Sequence, residues 1–157
     1  MNCKCSSHPP VAFDRTSINK RIRETKKILP TLTVVAENKE LCLTLLMCPR
    51  CGQFWQTGHE WHFKNSEYVF QVPEIAINDW LSEPYAQPAA MMLFTALMQD
   101  FCEKNSLEDG EKGCRVEGCD NRAIMSGVFC QAHHMEQLRK VGLLPKQPSG
   151  RLFPPYE

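Results

Sequence analysis

Apolar residues recur at helical spacing from Ile18 through Ile22 to Ile28 and Leu29, with Lys20, Arg21, Arg23, Lys26 and Lys27 set between them. This spacing predicts a short helix, capped by Thr16 or Ser17 and ended by Pro30, whose basic side is a solvated face. Residues 31–36 and 40–47 are β-rich and flank the polar turn Glu37-Asn38-Lys39, which predicts a hairpin running directly into Cys48. Residues 53–56 and 67–72 add aromatic and β-branched positions, among them Phe54, Trp55, Tyr68 and Phe70. The middle region therefore reads as a small antiparallel sheet that ends at Pro73.

Two helices are expected next, over 74–82 and 88–105, the second opened by Pro88 in its first turn. Met91, Met92, Leu93, Phe94, Leu97, Met98 and Phe101 make the second helix apolar on nearly all sides. Such a helix is either buried or held at an interface, and burial over the sheet is the expectation. Residues 106–113, rich in Gly and acidic side chains, read as a linker. The expected class is α+β: a zinc-knuckle domain over 1–105, the linker over 106–113, and a small zinc module with a tail over 114–157.

Lys plus Arg and Asp plus Glu both number 18, so no global charge draws the molecule to nucleic acid or to an anionic membrane. The balance is uneven along the chain, with eight basic against four acidic residues over 1–47 and four against ten over 48–113. No apolar stretch approaches the ~20 residues that span a bilayer, and the N-terminus has no apolar signal core. A cytoplasmic protein is expected. In that reducing setting nine cysteines, an odd number, suit metal better than disulfides.

The strongest chemical signal is Cys114-x4-Cys119-x10-Cys130-x2-His133. Two short-spaced donor pairs suit tetrahedral Zn²⁺, because each pair reaches one ion from a turn or a helix start. Residues 123–125 and 128–129 around Ser126-Gly127 predict a hairpin, and a helix follows from Gln131. Knuckle, hairpin and helix in that order are treble-clef-like. His134 competes with His133, and the Cys-x2-His spacing favours His133. With four protein donors the ion has no open position, so the site reads as structural and not catalytic.

Cys48-Pro49-Arg50-Cys51-Gly52 is a second knuckle and needs two further donors. Cys5 and His8 are the preferred pair, since metal would tie down an otherwise loose terminus; Cys3 is a spare, and His59 with His62 is the alternative. His59-Glu60-Trp61-His62 is one residue short of the HExxH metalloprotease motif, so its histidines would not share a helix face. Cys42 and Cys102 read as small buried hydrophobes.

Taken together, His8-Pro9, Cys48-Pro-Arg-Cys-Gly-Gln-Phe-Trp55 and Cys114-Arg-Val-Glu-Gly-Cys119 with Ala123, Gly127, Phe129, Cys130 and His133 resemble a loosely defined group of small bacterial proteins. These carry a CPxCGQxW knuckle and a C-terminal CxxxGC finger. The resemblance covers both ends and the first third of the sheet, leaves 73–113 unmatched, and implies an immunity-type protein that binds a toxin.

Two structural zinc ions and no enzymatic activity are thus expected. The expected role is binding another protein through an acidic middle region that includes Glu74, Asp79, Glu83, Asp100, Glu103, Glu108, Asp109 and Glu111. The alternative is nucleic-acid binding through the basic 20–27 run and Arg122, Arg139, Lys140, Lys146 and Arg151.

Overall fold

The computed structural model describes residues 3–12, 14–60 and 65–156. The chain divides into two compact units, one formed by 1–92 with 148–157 and the other by 93–147.

In the first unit, α1 (Arg15–Ile28) is capped by Asp14, whose side chain accepts from the Ser17 N–H at 2.8 Å. The cap thus lies two residues before the expected Thr16. Ile18, Arg21, Thr25 and Ile28 are the buried face. Arg21 departs from the expected solvated stripe: it is 3 % exposed. Its Nη1 donates to the Val69 carbonyl at 3.1 Å and its Nη2 to the Pro9 carbonyl at 2.6 Å.

Strands β1 (Thr33–Asn38), β2 (Leu43–Met47), β3 (Phe54–Glu60) and β4 (Ser66–Val72) form one antiparallel sheet in sequential order. The first turn falls later than expected, between Asn38 and Leu43. There Cys42 adopts a left-handed φ of 53° and is exposed, which corrects its reading as a buried hydrophobe. Successive strand residues face opposite sides, and the sheet contributes to two clusters. Leu43, Leu45, Tyr68, Phe70 and Val72 pack with Trp80, Tyr85 and Phe153, whereas Leu46, Trp55 and Val69 pack with Ile28.

Gln56, fully buried in β3, ties the first cluster to the chain beyond the sheet. Its Oε1 accepts from Trp80 Nε1 at 2.7 Å and from the Tyr85 N–H at 3.0 Å, and its Nε2 donates to the Tyr85 carbonyl at 2.8 Å. A buried amide used this fully is a positioning device and not a desolvation cost. Trp80 lies on the short helix α2 (Ile77–Ser82). The segment 148–157, expected to belong with the zinc module, returns to this unit. Arg151 donates its N–H to the Pro84 carbonyl at 2.9 Å, and the Phe153 ring stands 5.0 Å from that of Tyr85.

Helix α3 (Pro88–Lys104) lies close to its expected span, but its burial differs. Only Pro88 and Ala89 are buried, and Leu97 is 43 % exposed. Cys102 on this helix is exposed too, again unlike the expectation.

In the second unit, β5 (Asp109–Gly113) pairs antiparallel with β6 (Arg122–Ile124), so the residues read as a linker form a strand. β6 is the first arm of the expected hairpin. Its return arm forms no strand: the Ile124 N–H donates to the Phe129 carbonyl, and the Val128 carbonyl accepts from the Arg115 N–H, both at 2.9 Å. Helix α4 (Gln131–Lys140) follows with Cys130 as its N-cap residue. This unit has few buried apolar residues, among them Ala123, Ile124 and Leu144, too few for a conventional core.

Candidate metal centre

The β2–β3 connection is the first knuckle. Cys48 donates its N–H to the Gln53 carbonyl and accepts from the Gly52 N–H, both at 2.9 Å. The chain can reverse here because Gly52 takes φ 75°, a left-handed value that costs a residue with a Cβ about 1–2 kcal/mol. The loop before β6 repeats the device with Gly118 at φ 78°, while the Cys119 N–H donates to the Val116 carbonyl at 3.1 Å.

Cys3, Cys5, Cys48 and Cys51 form one group and Cys114, Cys119, Cys130 and His133 the other, with all ligand atoms of a group within 4.8 Å of one another. In the second group Cys119 Sγ and Cys130 Sγ are 3.9 Å apart. His133 Nδ1 is 3.3 Å from both Cys114 Sγ and Cys130 Sγ. A tetrahedral zinc with Zn–S bonds near 2.3 Å has sulfur–sulfur edges of about 3.8 Å, so these donors fit the ion without rearrangement. The fold thus carries one donor set of four thiolates and one of three thiolates with an imidazole, each fitted to a structural zinc ion.

In the first group Cys3 stands where His8 was expected. The chain makes a 3₁₀ turn over Cys5–Ser7, which carries His8 past the sulfurs. Its ring meets Trp55 edge-on at 5.9 Å between centroids, and its Nδ1 faces Glu24 Oε2 at 3.7 Å. His59 is also outside the group: its N–H donates to Gln87 Oε1, and its Nε2 lies 3.2 Å from the Cys42 carbonyl. His62 falls outside the described residues. In the second group His133, not His134, is the imidazole donor.

The thiols show why a cation belongs among them. Burial pushes Cys5 up to about 12, with neighbouring Cys48 and Cys51 adding to the rise and the Trp55 indole opposing it. Burial raises Cys48 too, but backbone N–H groups of Arg50 and Cys51 outweigh it and bring the thiol down to about 7. At the other site burial likewise works against Cys114, yet the N–H groups of Cys130 and Val116 and the His133 ring bring it down to about 6. One sulfur in each group is therefore poised as a thiolate, while Cys5 and Cys51 in the first group and Cys119 in the second are shifted up and resist ionising beside it. A divalent cation removes that conflict.

The backbone supports the donors. Cys130 donates its N–H to Cys114 Sγ at 3.3 Å, and Asn121 Nδ2 approaches Cys130 Sγ at 4.0 Å. At the terminus, Gln71 Nε2 donates to the Cys5 carbonyl at 2.6 Å, which fastens the first donor pair to β4.

No known protein family matches the chain, and neither the curated proteins nor the solved structures yield a match. The likeness to bacterial CPxCGQxW proteins therefore rests on the motifs alone. Among the described residues no helix is long and apolar enough to cross a membrane.

Proposed function

We propose that this chain is a non-enzymatic, zinc-stabilised module that binds another protein. The observation that carries this reading is the surface of the second unit, where Met125, Val141 and Leu143 are 72 %, 68 % and 73 % exposed. Val141 and Leu143 are two residues apart in the turn after α4, and large apolar groups exposed close together suit a contact surface. The acidic residues of the middle region support it, since Glu74, Asp79, Glu108, Asp109 and Glu111 are all exposed and suit a basic partner. Both donor sets supply four protein ligands, which leaves no coordination position for water or substrate. An immunity or adaptor role in the cytoplasm, with a toxin as partner, is what the motif resemblance adds.

Nucleic-acid binding is the weaker reading because two of its cations are committed elsewhere. Arg21 points into the core, and Arg139 donates to the Pro145 carbonyl at 3.3 Å with its guanidinium 6.0 Å from the Phe94 ring centroid.

Native mass spectrometry of the protein taken from its own cells tests the proposal. A stoichiometric protein partner, lost on Leu143→Glu while the zinc count stays unchanged, is expected. Co-purified nucleic acid released by salt would favour the weaker reading, and a partner indifferent to Leu143→Glu would count against this surface.

A further inference from the structure

Beside the four-cysteine group the first unit contains a cavity of about 740 Å³, a size that holds a small organic ligand. Cys3, Cys5 and Cys48 form part of its lining, but one metal ion fills only a small part of such a volume. Three of its other lining residues are cations, Lys4, Lys27 and Arg50. All three are exposed, and none is engaged in an ion pair among the described residues. The one carboxylate in the lining, Glu24, is already engaged by Arg21 Nε at 3.4 Å.

Charge balance points to the ligand class. Zinc held by four thiolates carries two net negative charges, and the three cations Lys4, Lys27 and Arg50 exceed that by one. The remaining positive potential lies at the cavity mouth, where long flexible side chains converge on one space. Deeper in, Trp55 is fully buried and lines the cavity. Ile28, Pro30 and Pro49 add apolar contact. An anion with a compact organic body matches a site that is cationic at its rim and offers apolar surface within.

We propose that this cavity binds a small phosphate monoester, its phosphate held by Lys4, Lys27 and Arg50 and its organic part lying against Ile28, Pro30 and Pro49. The site belongs to the first unit, and its existence does not depend on a protein partner.

The test is a titration of the zinc-loaded protein with ribose 5-phosphate, followed by the NMR signals of the Trp55 indole N–H and the His8 ring. Saturable shifts with a Kd of ~1 mM or tighter are expected. Lys27→Ala and Arg50→Ala should each weaken binding roughly tenfold at unchanged zinc content. Absence of saturation at several times that concentration would mean that the cations only balance the zinc–thiolate charge, and would overturn the proposal. So would binding that both substitutions leave intact. Inorganic phosphate and a short single-stranded oligonucleotide are run alongside. Phosphate binding as tightly as the ester would remove the role of the apolar wall. An oligonucleotide that displaces the ester and binds more tightly, with steep salt dependence, would replace the small-molecule site by a nucleic-acid one.

Discussion

Arg21 holds its guanidinium 5.6 Å from the centre of the Trp55 ring while donating to the carbonyls of Val69 and Pro9. One side chain thereby joins α1, β4 and the segment leading out of the four-cysteine site. Burial makes its charge costly and lowers its pKa, with Glu24 opposing the shift. The cation is retained because it meets two carbonyls, a carboxylate and a ring face together.

Arg21→Met should therefore destabilise the first unit by about 2–4 kcal/mol, since it leaves the buried Val69 carbonyl and the partly buried Pro9 carbonyl without their donor. Arg21→Lys should recover only part of that loss, because an ammonium cannot span both carbonyls from one planar fork. Urea unfolding followed by Trp fluorescence checks both variants. Equal stability of the Lys variant and the parent would show that the charge matters and the fork does not.

His8 makes a second prediction. Burial lowers its pKa below the ordinary 6.5, the positive charge of Arg21 adds to this, and Glu24 works the other way. The folded state thus takes up this proton at lower pH than the unfolded chain does. Its contribution to stability is complete above the unfolded value and is lost as pH falls through the folded one. An NMR titration of the His8 ring should give a midpoint below 6.5, and His8→Gln should flatten the acid side of the stability curve. A midpoint above the ordinary imidazole value would show that Glu24 dominates.

Much of this molecule is legible in the sequence where a local rule operates. The Cys48-x2-Cys51, Cys114-x4-Cys119 and Cys130-x2-His133 spacings locate their donor pairs because a tight turn or a helix start brings each pair together. The antiparallel sheet follows from runs of strand-forming residues in 31–72. The choice between Cys3 and His8 is not local. Both lie within three residues of Cys5, and what decides is a 3₁₀ turn together with the distant Trp55 and Glu24, which receive the His8 ring. Arg21 is the same kind of case: its place in a basic run suggests solvent, and only the carbonyls of Val69 and Pro9 explain its burial. Phe153 carries no signal of its own, because an aromatic near a chain end reads alike whether it is free or packed against Phe70 and Tyr85.

The last prediction concerns the metal. In the second unit Ala123, Ile124 and Leu144 supply little buried apolar surface, so the donor set of three thiolates and an imidazole must contribute most of what holds β6 to α4. Cys119→Ala leaves three donors and removes the sulfur facing Cys130 at 3.9 Å. Bound zinc should fall from two ions to one, matching the loss of one of the two donor groups. Amide protection should collapse across β5, β6 and α4 but persist in the four-stranded sheet, which has its own clusters and its own four-cysteine set. Hydrogen exchange with a parallel zinc assay reads both quantities in one sample. Loss of one zinc with α4 still protected would mean that the second unit folds on its hydrogen bonds and small core alone, and the structural role assigned to that ion would have to be abandoned.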